Sequence, residues 1–75
     1  MRPTHYVQKR GWVFLVRWVN YTDYSNNVSG WEVEGHQRKV PSNLKAVGTN
    51  SDLDRSIDKY VQYSMDDKLR KAWKK

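Results

Sequence analysis

The sequence predicts a mainly β fold that ends in a C-terminal α-helix. Strand-like apolar runs and turn residues fill the first part of the chain, whereas from Ser51 onward apolar residues recur every three or four positions. The 75 residues suffice for one small domain, with the sheet over about residues 5–47 and the helix over about 51–73. We expect a curled antiparallel sheet of three to four strands that buries one face under the helix.

The first two strands are predicted to form a hairpin. Val7–Arg10 and Trp12–Val19 are rich in β-branched and aromatic residues, and Gly11 between them permits the positive φ of a tight turn. Both faces of the second run are apolar until Arg17. This pattern is typical of a strand in the middle of a sheet.

A surface loop is predicted after this central strand. Residues 20–30 combine Asn, Thr, Asp, Ser and Gly, which favour turns, and they carry Tyr21 and Tyr24. Beyond the loop, Trp31 lies in a predicted third strand. We expect its side chain to fill the core together with Phe14.

A second turn is predicted over residues 34–37, with His36 as one of its members. Val40 then belongs to a short fourth strand. Pro41 ends that strand, because proline lacks the backbone N–H that a sheet needs.

One amphipathic helix is predicted at the C-terminus, with Ser51 as its N-cap and Asp54 completing a capping box. Acidic residues gather near its start and basic residues near its end, which suits the helix dipole. Its apolar stripe consists of Leu53, Ile57, Tyr60, Val61, Met65, Leu69 and Ala72 or Trp73.

The composition favours a binding module over an enzyme. There is no cysteine, and two histidines far apart in sequence predict neither a metal site nor a cofactor. The chain has no glycine-rich phosphate loop and no nucleophile elbow. We expect an intracellular setting and no membrane contact, since no apolar run is long enough for a signal peptide or a span. A net charge of +6 and a pI of about 9.8 favour an acidic partner such as DNA or RNA.

The run from Phe14 to Tyr21, followed by Trp31-Glu32 and a closing helix, resembles the heart of a chromodomain. Members of this family share an aromatic-aliphatic-aliphatic-basic-Trp strand, a Gly or Asn before an aromatic residue, and a Trp-Glu-Pro segment. Here Val33 replaces the usual proline, and the chain is atypical because it is short at its N-terminus. The resemblance implies an SH3-like sheet with a C-terminal helix, as in chromatin proteins and some retroelement integrases, and a nuclear location.

The resemblance also implies an aromatic cage for a methylated lysine of a histone tail. A methylated ammonium keeps its charge and gains apolar area, so aromatic faces satisfy it better than water does. Trp18 and Tyr21 would be two walls that converge where the strand ends, and Trp31 would be structural. The acceptor and the further candidates for the cage are Glu32, Tyr24 and Tyr6.

Two alternatives remain open for the function, and one for the family. The basic residues suggest an SH3-like module that binds nucleic acid or the nucleosome surface, with a degenerate cage. The helix could instead dock a protein partner through Met65, Leu69 and Trp73. The stretch Val40–Val47 is also similar to the chromo-barrel branch of the same superfamily. The candidate nucleic-acid contacts are Arg38, Lys39, Lys68, Arg70, Lys71, Lys74 and Lys75.

Overall fold

The fold is a four-stranded mixed sheet with two short helices. The computed structural model describes residues 2–22 and 27–74, and for residues 21, 22 and 27–29 it describes the backbone alone. The strands lie in the order β3-β2-β1-β4, so the mainly β class and the central position of β2 are confirmed. The elements are β1 (His5–Lys9), β2 (Trp12–Thr22), β3 (Asn27–Gln37), β4 (Lys45–Ala46), α1 (Ser51–Gln62) and α2 (Asp67–Trp73).

The predicted hairpin of β1 and β2 is confirmed. The two strands pair antiparallel, and Lys9 lies opposite Trp12 at the turn. Arg10 and Gly11 form this turn with φ values of 52° and 79°. Two successive positive φ values give a two-residue turn whose twist matches that of the strands. Glycine tolerates this backbone without strain, as expected at position 11.

The second hairpin, of β2 and β3, is longer than predicted. The turn predicted over residues 34–37 is wrong, because β3 is continuous from Asn27 to Gln37. The loop predicted over residues 20–30 is wrong at both of its ends, because β2 runs to Thr22 and β3 begins at Asn27, while residues 23–26 lie outside the described part of the chain. Cross-strand pairing outweighs the weak turn propensity of these residues. A register shift beside Leu15 absorbs one extra residue in β3, so His36 lies opposite Phe14 within the sheet.

The short fourth strand lies after Pro41, and it is not antiparallel. Val40 is outside any strand, whereas Lys45 and Ala46 pair in parallel with His5 and Tyr6. The chain leaves β3 at one edge of the sheet and crosses to the other edge, where it forms β4 beside β1. This crossover brings β4 in alongside β1 in the same direction, which corrects the expectation of a fully antiparallel sheet.

The predicted single helix over residues 51–73 is two helices. α1 ends at Gln62, and Asp66 is the N-cap of α2. The Asp66 carboxylate accepts hydrogen bonds from the backbone N–H groups of Lys68 at 3.0 Å and Leu69 at 3.3 Å. The carboxylate of an N-cap residue satisfies the free backbone N–H groups at the start of a new helix. The apolar period of the sequence continues across this break and therefore does not reveal it.

The N-cap of α1 is also one residue earlier than predicted. The side-chain oxygen of Asn50 accepts a hydrogen bond from the N–H of Leu53 at 2.9 Å, so Asn50 takes the role that we assigned to Ser51. Asparagine and serine are comparable caps. Because either residue could cap the helix, the sequence alone does not show which of them does.

The core lies between the sheet and the two helices, with Phe14 at its centre. The Phe14 ring is fully buried and meets Tyr60 and Trp73 edge to face, at centroid distances of 6.2 and 5.4 Å. In the described part of the chain no helix is long and apolar enough to cross a membrane. The buried cluster consists of Val7, Trp12, Phe14, Val16, Leu53, Ile57, Val61 and Leu69.

Candidate functional site

Two indole rings form an aromatic pair at the end of the sheet away from the β1–β2 turn. Trp18 and Trp31 lie opposite each other on β2 and β3, with ring centroids 5.4 Å apart and planes at 78°. Trp18 is 48% exposed, whereas Trp31 is half-buried against the core. The His5 ring contacts Trp31 edge to face at 5.7 Å. The pair thus presents an open ring that is supported by a second, better-anchored ring.

A carboxylate of α1 lies close to β3 at Gly30, on the face of the strand opposite to the Trp31 side chain. A Cβ built on Gly30, the residue before Trp31, would lie 3.7 Å from an oxygen of Asp52. Asp52 belongs to the first turn of α1 and is exposed. The packing of α1 against β3 therefore brings negative charge to the strand that carries Trp31.

Two of the other predicted cage residues, Glu32 and Tyr6, do not lie on the face of the sheet that carries Trp18. Glu32 lies opposite Arg17, one residue from the Trp18 pairing, and so belongs to the other face of the sheet. Tyr6 lies opposite Leu15 and is on that other face as well. β2 continues past Trp18, so the strand end where two rings were expected to converge is not there.

Two tyrosines of the predicted cage remain predictions. Tyr21 belongs to β2, but its side chain is outside the described part of the structure, and Tyr24 lies outside the described residues altogether. Trp31 is the ring that the structure brings to Trp18. The sequence assigns it to the core alone, because only the strand register shows which residue of β3 lies opposite Trp18.

A second candidate surface, which we call the basic groove, lies between α1, α2 and the β1–β2 turn and has a volume of about 700 Å³. The Arg10 guanidinium lies over the Trp73 ring, 5.1 Å from its centroid, and donates a hydrogen bond to the Trp73 carbonyl at 3.2 Å. The other residues that line the basic groove are Asp58, Val61, Gln62, Asp67, Arg70, Lys71 and Lys74.

Arg38 follows β3, and its side chain reaches the β1–β2 turn beside the basic groove. Its guanidinium stacks 4.1 Å from the centroid of the Trp12 ring and donates to the Gly11 carbonyl at 2.9 Å. Arg38 and Arg10 therefore both lie beside the β1–β2 turn, where they can contribute to one basic surface. Arg10 is not among the contacts predicted from the sequence, because only the packing of α2 brings the residues of α2 next to the β1–β2 turn.

Only some of the remaining predicted nucleic-acid contacts line the basic groove. Arg70, Lys71 and Lys74 line the basic groove. Lys39 and Lys68 are exposed but do not line it, and Lys75 lies outside the described residues.

The predicted partner surface on the C-terminal helix is mostly turned inward. Leu69 is fully buried, and Trp73 packs on Phe14. Met65, by contrast, is 92% exposed. A helical docking face that contains all three side chains is not present.

His36 links the sheet to both helices from within β3, which corrects its assignment to a turn. Its Nε2 lies 2.9 Å from an Asp66 oxygen and its Nδ1 lies 2.7 Å from the Tyr60 hydroxyl. A carboxylate can only accept, so Nε2 donates to Asp66, while Nδ1 is paired with the Tyr60 hydroxyl. This hydrogen bond from His36 lowers the pKa of Asp66, while burial raises the pKa of Tyr60.

Acid is expected to destabilise the protein through Asp66. A carboxyl group with a lowered pKa contributes stability above its ordinary value of 3.8 and loses it as the pH falls through the folded value. We expect the urea midpoint to fall between about pH 5 and about pH 2. Asp66→Asn keeps a capping acceptor without the charge, so its midpoint should change less. Asp67→Asn, at the next position, should behave as the wild type; equal profiles for wild type and Asp66→Asn would contradict the prediction.

Neither a metal cluster nor a relative identifies the protein's activity. Within residues 2–22 and 27–74 no group of three or more His, Asp or Glu side chains is arranged to hold a metal ion. Comparisons of the chain with family models, with curated proteins and with solved structures gave no match. Function is therefore inferred from the aromatic pair and the basic groove.

Proposed function

We propose that the chain is a non-enzymatic chromatin module that binds a methylated lysine of a histone tail at the aromatic pair, in the nucleus. The observation that carries this proposal is an exposed indole, Trp18, supported edge-on by Trp31. A large exposed aromatic ring on a regular strand contributes little to folding. Its exposure is consistent with a binding role.

The chemistry of a methylated lysine suits this pair. The ammonium has lost hydrogen-bond donors but keeps its charge, and the face of a tryptophan is the best aromatic partner for such a cation. Edge-on contact with Trp31 leaves ring surface of Trp18 open.

We infer further that the fold is SH3-like and of the chromodomain or chromo-barrel type. Three antiparallel strands, β1 to β3, followed by C-terminal helices that cover one face, support this inference. The parallel β4 and the break before α2 are additions to the expected pattern.

Loss of the exposed indole is expected to abolish the preference for methylated lysine. The test is a titration of histone-tail peptides that are unmodified or trimethylated at a single lysine, followed by tryptophan fluorescence or calorimetry. We expect the trimethylated peptide to bind more tightly, and Trp18→Ala to weaken it by about tenfold or more, since a desolvated cation–π contact contributes up to about 2 kcal/mol.

Tyr63→Ala is the matched control for this titration. Tyr63 is also an exposed aromatic residue, at 82%, but it lies after α1 and not in the aromatic pair. We expect this variant to bind as the wild type does. Equal affinity of the wild type for both peptides would contradict the proposal. An equal loss of affinity in Trp18→Ala and Tyr63→Ala would contradict it as well.

A further inference from the structure

We propose that the basic groove is a second binding site, for the sugar-phosphate backbone of a nucleic-acid duplex. It brings Arg10 of the β1–β2 turn next to Lys71 of α2 and to Lys74, the C-cap of α2, while Arg38, which follows β3, donates a hydrogen bond to the Gly11 carbonyl of the same turn. The groove lies near Trp12, whereas the aromatic pair contains Trp18. Six residues of strand separate the two surfaces, or about 20 Å, so they can be occupied independently.

Both arginines of this site are held in place by the fold. Arg10 is fixed by the ring and the carbonyl of Trp73, and Arg38 by the Trp12 ring and the Gly11 carbonyl. Each guanidinium keeps further N–H groups beyond these contacts. A cation that is already ordered loses less conformational entropy when a phosphate binds.

The positive charge of the groove is only partly neutralised. Arg70 pairs with Asp67, and Asp58 is engaged by Lys9 and by the indole N–H of Trp73. The carboxylates that line the groove therefore already have partners. Lys71 and Lys74 are exposed and make no ion pair within the described part of the chain. Arg10, Arg38, Lys71 and Lys74 remain for an anionic ligand.

The groove suits phosphates better than an acidic polypeptide. Protein interfaces depend on exposed apolar anchors that insert into the partner. The large apolar side chains that line the basic groove, Val61 and Trp73, are buried or half-buried. Contacts to a nucleic-acid backbone need positive charge and no such anchor.

A duplex suits the groove better than a single strand. Proteins that bind single strands stack the bases on open aromatic faces. The Trp73 ring is covered by Arg10 and meets Phe14 edge-on, so it offers no such platform. A surface that offers positive charge and no open ring suits the backbone of a duplex, whose bases are already stacked on one another.

The test is binding of a duplex of about 20 base pairs and arbitrary sequence to the full chain at several salt concentrations. Four phosphate contacts predict a slope of log affinity against log salt of about −3.6, or about fifty-fold weaker binding at 150 than at 50 mM. We expect Lys71→Glu with Lys74→Glu to weaken binding at least tenfold. Duplex DNA and duplex RNA form separate arms, and binding of either supports the site and shows which nucleic acid it takes.

Lys45→Glu with Lys59→Glu is the matched control, because it changes the net charge equally at two exposed lysines outside the groove. We expect this variant to keep most of the affinity. Equal losses for both double variants would overturn the proposal in favour of diffuse attraction. Polyglutamate that binds as tightly as the duplex would overturn it in favour of an acidic polypeptide. Circular dichroism confirms that each variant is folded.

Discussion

Phe14→Ala is expected to remove a large part of the free energy of unfolding of the protein. Phe14 is fully buried and its ring contacts Tyr60 of α1 and Trp73 of α2, so one side chain joins the sheet to both helices. Removing a buried phenylalanine ring costs about 3–5 kcal/mol. A domain of this length has a total unfolding free energy of about 4–11 kcal/mol. The substitution therefore removes much or all of the stability.

Urea unfolding, followed by far-ultraviolet circular dichroism and by tryptophan fluorescence, measures this effect. Phe14→Leu is the matched control, because it keeps an apolar side chain and most of the volume at the same position. We expect the leucine variant to be folded and somewhat less stable than the wild type. An alanine variant with the urea midpoint of the leucine variant would show that Phe14 is not at the centre of the core.

Leu69→Ala is expected to detach α2 from the rest of the protein. Leu69 is fully buried, and substitution of a buried leucine by alanine costs about 2–5 kcal/mol. α2 has seven residues, too few for a helix that is stable without tertiary contacts. Because Lys71 belongs to α2 and Lys74 is its C-cap, release of α2 should also dismantle the basic groove. We expect duplex affinity to fall about as far as in the Lys71→Glu and Lys74→Glu variant.

Hydrogen exchange of the α2 amides tests this detachment directly. We expect their protection to be lost in Leu69→Ala while amides of β2 stay protected. Lys68→Ala is the control, since the adjacent Lys68 side chain is exposed and its replacement should leave exchange within α2 unchanged. Protected α2 amides in Leu69→Ala would contradict the expectation.

Features that depend on neighbouring residues could be predicted from the sequence. The alternation of apolar residues from Trp12 places Phe14 in the core and β2 in the middle of the sheet, as the structure confirms. Gly11 marks the turn at which φ is positive. Trp18 continues the same alternation, so its exposure depends on where the helices stop covering the sheet, which no local pattern determines.

Features that depend on distant residues could not be predicted. The residues before Trp31 have turn propensities, yet pairing with β2 extends them into a strand. The apolar period runs without interruption past Asp66, yet that residue caps a new helix and is held by His36 of β3. In both places contacts between segments far apart in the chain outweigh a weak local preference.

The sequence by itself determines the class of the fold, the first hairpin, the central strand and the positive charge, because these follow from local patterns and composition. The tertiary structure alone decides which groups meet. Strand register brings Trp31 to Trp18, and the docking of α2 brings Lys71 and Lys74 to Arg10. Both candidate sites therefore depend on contacts whose free energy is gained only when segments distant in sequence pack together.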